Sequence, residues 1–233
     1  MRFGLHLVVI GAVGGIVFAC IPDPHGDYED FKDRTAGLNP DLSPPEAGPI
    51  DAKPPETAVE QLYVAVCVVS LANRDPAQAF RFYTESKYVP DGPGSATGKL
   101  SLVMTTLKSW DHSVNPPNGQ YFEPSVFTAA DKRGEPILVN DIPVSDKGRF
   151  TANLGKVTVT DAANPVSGRQ AVLDFVVLDG LFGTDNFCST FGGTLVEPYV
   201  AELPPDKNTC VWTKVKEGDA FPKLTKEQFV CPF

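Results

Sequence analysis

From about residue 58 onward the chain is a succession of short apolar segments that alternate with period two and stop at turn residues, a pattern that fits strands and leaves almost no apolar recurrence at helical spacing. Leu100, Leu102 and Met104 oppose Ser101, Val103 and Thr105, and Phe80 and Phe82 oppose Ala79, Arg81 and Tyr83, as in a sheet with one buried face. Strands are expected over 61–71, 79–88, 99–107, 125–129, 137–142, 150–154 with 156–160, 170–179, 187–196 and 210–215. Turn residues separate nearly all of them, at 90–94, 116–119, 131–134 and 146–148. Residues 62–69 and 171–178 are apolar on both faces, the mark of central or covered strands. Only 223–229 offers a short helical turn.

Sequential strands with short connections read as an antiparallel meander, so the fold class is all-β. Its closure is either a β-sandwich or an up-and-down, lipocalin-like barrel, and spacing does not separate the two. The domain occupies 58–233, some 175 residues, enough for one core. Ahead of it, residues 20–57 carry Pro22, Pro24, Pro40, Pro44, Pro45, Pro49, Pro54 and Pro55 with few large apolar residues. Such a stretch is a disordered Pro-rich tether, semi-rigid at about 3.1 Å per residue. The cluster Asp23, Asp27, Glu29, Asp30 and Asp33 around His25 lacks calcium-loop spacing and reads as a solvated acidic stretch.

Residues 1–19 open with Met1-Arg2, run apolar from Phe3 to Phe18 with His6 as a polar interruption, and end Val17-Phe18-Ala19 before Cys20. The run is too short to span a bilayer comfortably. It resembles the signal peptide and lipobox of a bacterial lipoprotein, with Phe18 as the departure from the usual small residue. That resemblance implies cleavage before Cys20, diacylglycerol on its thiol and acylation of the freed amine. The partner would then be membrane lipid, through an anchor of several chains. Ile21, rather than Asp, after the acylated cysteine points by analogy to the outer membrane. Val-Phe-Ala also suits ordinary signal peptidase, which would cut the same bond and leave a soluble secreted chain. Loss of residues 1–19 removes Arg2 and no acid, taking the net charge from −9 to −10. With no basic stripe, nucleic acid is excluded as a partner.

Lipidation of Cys20 leaves Cys67, Cys188, Cys210 and Cys231, an even set that reads as two disulfides in an exported chain. If the sheet closes, its first and last strands bring Cys67 to Cys210 and leave Cys188 for Cys231. Cys188 with Cys210 is the competing pair.

Catalytic signals are sparse, and no catalytic residue, metal site or cofactor is assigned. His112 is the single histidine after residue 58, with Asp111, Ser109 and Ser113 as its neighbours, and no Gly-x-Ser-x-Gly turn accompanies it. One histidine and four half-cystines make a poor zinc set. Asp174 is the weak candidate for ligand binding: on a strict two-residue period it shares a face with Val172 and Val176, as a polar anchor inside a cavity or a carboxylate meeting solvent or Arg81. Gly180, Gly183, Gly192 and Gly193 read as turns or bulges. Phe187-Cys188 followed by Gly192-Gly193, with Cys231-Pro232 near the end, is similar to the meander domains of uncharacterised β-rich bacterial lipoproteins, which carry no assigned activity. The expectation is a membrane-anchored lipoprotein whose β-domain binds an envelope protein or a small apolar ligand. An anchored or secreted hydrolase and a structural envelope protein are the alternatives.

Overall fold

The computed structural model describes residues 53–114, 120–183 and 185–231; the lipobox, Cys20 and the acidic tether up to residue 52 lie outside them. The strands are β1 (Val59–Val68), β2 (Phe80–Pro90), β3 (Gly98–Leu107), β4 (Trp110–Asp111), β5 (Gln120–Tyr121), β6 (Lys132–Val144), β7 (Arg149–Val159), β8 (Ala171–Leu181), β9 (Asn186–Glu197), β10 (Ala201–Leu203) and β11 (Thr209–Lys214). Helical structure among the described residues is confined to 3₁₀ turns of three residues each.

Eight strands follow one another around a closed antiparallel barrel in the order β1-β2-β3-β6-β7-β8-β9-β11. The last pairs with the first over six residues, from Tyr63 opposite Lys214 to Val68 opposite Thr209. This seam decides between sandwich and barrel: the meander closes on itself, which removes its sheet edges. β10 adds a short hairpin to the end of β9, and β4 with β5 forms a separate two-stranded ribbon.

Four expectations change, the first being that the strand over 61–71 ends at Val68 and gives way to a 3₁₀ turn at Ser70–Ala72. Residues 150–154 and 156–160 are one strand, β7, bulged at Gly155, whose φ of +62° suits a residue without a Cβ. The 131–134 turn is mostly strand, because Lys132 and Arg133 pair with Leu107 and Thr106 and extend β6 backwards. Residues 125–129 join no sheet: Val126 makes an isolated bridge to Ala220, and Phe127 packs on the barrel's outer face.

Both faces of β1 are buried, for two different reasons. Tyr63, Ala65 and Cys67 point into the barrel, while Val64, Val66 and Val68 meet Phe127, Phe221 and Phe229, which cover the outside. The same cover explains β2, where Phe82 is interior yet Arg81 and Tyr83 on the opposite face, with Ala79 just before the strand, are also buried. Tyr83 stacks on Phe127 at 4.7 Å and its hydroxyl donates to Glu217 at 3.0 Å. Desolvation, reinforced by that carboxylate, pushes the Tyr83 phenol up to about 12.

Both disulfides are present, as Cys67–Cys210 across the β1–β11 seam and Cys188–Cys231 fastening the C-terminal tail.

Candidate functional site

The two ends of the barrel are filled differently, and the difference creates the site. At the end where β1 starts and β11 finishes, aromatic rings pack the interior: Phe187 stacks on Trp212 at 4.8 Å and meets Tyr63, Phe182 and Phe150 edge-on at 5.0, 5.4 and 6.2 Å. Such offset and edge-to-face contacts add to the burial of large apolar area. Two polar handles are satisfied inside the plug, the Trp212 indole N–H donating to Ser189 Oγ at 3.0 Å and the Tyr63 hydroxyl donating to Gln61. Gly180 belongs to the same packing, since a Cβ there would lie 2.6 Å from the Phe150 ring. Desolvation, with Asp185 adding to it, raises the Tyr63 phenol above its ordinary value.

At the opposite end aliphatic side chains make up most of the lining, and they leave a cavity of about 90 Å³. Phe82, Met104, Leu173, Val176 and Phe191 lie around it, and the Cys67–Cys210 disulfide forms part of its wall. The polar side chains on its lining are Asn164, Ser167 and Tyr199. Asn164 is committed to its own loop, donating to Ser167 Oγ at 3.0 Å and to the Arg169 carbonyl at 2.8 Å. The mouth is bordered by the 3₁₀ turn Ser70–Ala72, the loop at 164–168 and the turn at 198–200. It presents apolar surface to solvent: Leu71 is 40% exposed, Tyr199 53% and the adjoining Val200 75%.

A bulge in β8 decides which residues reach this cavity. Asp174 pairs with Thr194 and Val177 with Gly192, so three residues of β8 span two of β9. The extra residue reverses the alternation, putting Val176 on the lining with Ala171, Leu173 and Leu178. Asp174 is half-buried and is not among the lining residues, so the strict-period expectation that grouped it with Val176 is corrected. Arg81 is not its partner: it sits on β2, four barrel strands away on the opposite side, over the Phe221 ring.

His112 is brought to an acid, but not into a cleft. Its Nε2 lies 3.5 Å from Asp161 Oδ2, with the two side chains 43% and 60% exposed. Asp111 instead accepts from Ser113 Oγ at 2.7 Å and from Lys108 at 3.1 Å; the Ser113 hydroxyl and backbone, then Lys108, pull its carboxyl down to about 2. Ser109 is buried with its hydroxyl donating to Leu107 O at 3.2 Å. The Ser109 and Ser113 hydroxyls are thus bonded elsewhere than to His112. Among the described residues there is no group of three or more His, Cys, Asp or Glu side chains placed to hold a metal, and no helix long and apolar enough to cross a membrane.

Sequence reasoning missed the mouth. Leu71, Tyr199 and Val200 sit in turns, where single apolar residues are ordinary, and their grouping follows only from closure of the barrel. Comparison with known proteins supplies no further guide: no family model matches the chain, and neither a curated protein nor a solved structure matches it.

Proposed function

We propose that this protein is a lipid-anchored binding protein whose barrel receives one apolar group of a small molecule through the open end. The observation that carries the reading is the asymmetry of the interior, an aromatic plug at one end and an apolar cavity with an exposed apolar rim at the other. Binding sites are concave, largely apolar and few per protein, and apolar cavities hold hydrocarbon rather than water. At about 90 Å³ the space is smaller than the ~150 Å³ cavity that admits benzene. It suits the end of a single alkyl chain, with the rest of the ligand passing between Leu71 and Tyr199.

The anchor is supported by cysteine accounting. The four cysteines after residue 58 are all consumed in two disulfides, so Cys20 is left over in a sequence context that resembles a lipobox. The disulfides favour an oxidising compartment, and by the Ile21 analogy the membrane is the outer one of the cell envelope. A barrel held there on a Pro-rich tether would meet hydrocarbon chains at its own anchoring surface.

Calorimetric titration of the full-length chain with 1-hexanol, 1-octanol and 1-decanol tests the binding claim. One saturable site with a negative heat-capacity change is expected, abolished by Ala171→Phe, which fills the cavity. Undiminished binding in Ala171→Phe would refute it.

A further inference from the structure

A second pocket, on the outside of the barrel, contains a buried cation whose hydrogen-bonding capacity the protein leaves incomplete. Arg81 projects from the outer face of β2 and is 5% exposed, beneath the segments that carry Glu123 and Phe221. Its Nη1 is buried with no hydrogen-bond partner, and the guanidinium forms no ion pair with any described carboxylate. Its Cζ lies 5.9 Å from the centroid of Phe221, a cation–π contact that places the group without neutralising it. Burial pulls its pKa below the ordinary arginine value, and Glu123 pushes in the opposite sense. The group stays charged nonetheless, because a guanidinium cannot be deprotonated in proteins.

The pocket it lines measures about 130 Å³. Val66, Pro76, Phe221 and Leu224 make its walls apolar, while Glu123 and Lys223 stand at its exposed rim. A desolvated charge without a partner is costly. A planar guanidinium best recovers that cost from a carboxylate, which accepts two parallel N–H bonds.

We infer that this pocket binds a small organic monocarboxylate, its carboxylate on the Arg81 guanidinium and its apolar body against Phe221, Val66 and Leu224. Size and charge set the class. The volume is close to the ~150 Å³ that admits a benzene ring, so a body of one ring or a short branched chain fits. Glu123 at the rim opposes a second negative charge, which disfavours phosphate. The site lies on the opposite side of the β1–β2 wall from the barrel cavity and does not depend on it.

The test is calorimetric titration of the full-length chain with sodium benzoate, its neutral isostere benzamide, and inorganic phosphate. One benzoate per chain is expected, with benzamide and phosphate each at least tenfold weaker. Arg81→Met should abolish benzoate binding while leaving 1-octanol binding in the barrel unchanged. Glu123→Gln keeps the guanidinium in place and should tighten benzoate severalfold, which also serves if Arg81→Met does not fold. Equal affinities for benzoate and benzamide, tighter binding of phosphate, full affinity in Arg81→Met, or no change in Glu123→Gln would each overturn the assignment.

Discussion

The disulfide between Cys67 and Cys210 joins the first barrel strand to the last, so its removal acts on the seam that makes the sheet a barrel. Its two half-cystines face each other in the β1–β11 register and are 2% and 1% exposed. The perturbation is Cys67→Ala with Cys210→Ala, the tail disulfide left intact. The bond closes a loop with a sequence separation of 143, for which chain entropy gives about 5 kcal/mol at 25 °C. The same relation gives about 4 kcal/mol for Cys188–Cys231, whose separation is 43. Loss of two buried sulfurs from the cavity wall adds a packing cost to the first pair and little to the second, because Cys188 is only half-buried. Urea unfolding followed by tryptophan fluorescence measures both variants. The seam variant should lose more stability than the tail variant and should show a higher m-value, since its unfolded chain is released to expand. If the tail variant loses as much or more, or the seam variant loses under about 1 kcal/mol, the β1–β11 ladder suffices without the covalent tie and the reasoning fails.

Phe187→Ala removes the ring at the centre of the aromatic plug, and a loss of about 3–5 kcal/mol is expected; a loss below about 1 kcal/mol in thermal unfolding would mean the rings do not pack as one unit. Tyr83, held at about 12 by burial and Glu217, binds its proton more tightly folded than unfolded. Stability therefore declines from about pH 10 to pH 12, by about 1.4 kcal/mol per pH unit for this residue. Tyr63 and Tyr88 are shifted in the same direction, so Tyr83→Phe should reduce the slope in alkaline urea titrations without abolishing it, and an unchanged slope would contradict the assignment. Cys20→Ala should eliminate a triacyl mass increase and detergent-phase recovery when the chain is expressed in a bacterial host; a native chain that is water-soluble with an unmodified Cys20 would contradict the anchor.

Strand identity was legible wherever local alternation and local burial agree. Leu100, Leu102 and Met104 alternate in sequence and are all buried inside the barrel, because the irregularities of the β3–β6 ladder put their extra residues in β6 and leave the alternation of β3 intact. Alternation failed where a bulge intervened: the inserted residue in β8 moved Val176 to the cavity and left Asp174 off it, and nothing local in Leu173-Asp174-Phe175-Val176 announces that shift. β2 hid a different fact. Ala79, Arg81 and Tyr83 read as an outward face, and they are outward, but Phe127, Phe221 and Phe229 come from far along the chain to cover that face. The buried environment of Arg81 is thus a tertiary property. Barrel closure was open at the level of sequence because β1 and β11 meet across a separation of 143 at Cys67 and Cys210, and strand spacing contains no information about the last pairing. The mouth depends on that same closure.

A crystal structure under xenon pressure tests the central claim most directly, since xenon enters dry apolar cavities without requiring a chosen ligand. One xenon site is expected among Leu173, Val176 and Phe191, reached from the side of Leu71 and Tyr199, with none in the ring cluster of Phe187 and Trp212. Ordered water in place of xenon in that cavity, or xenon confined to the aromatic end, would contradict it.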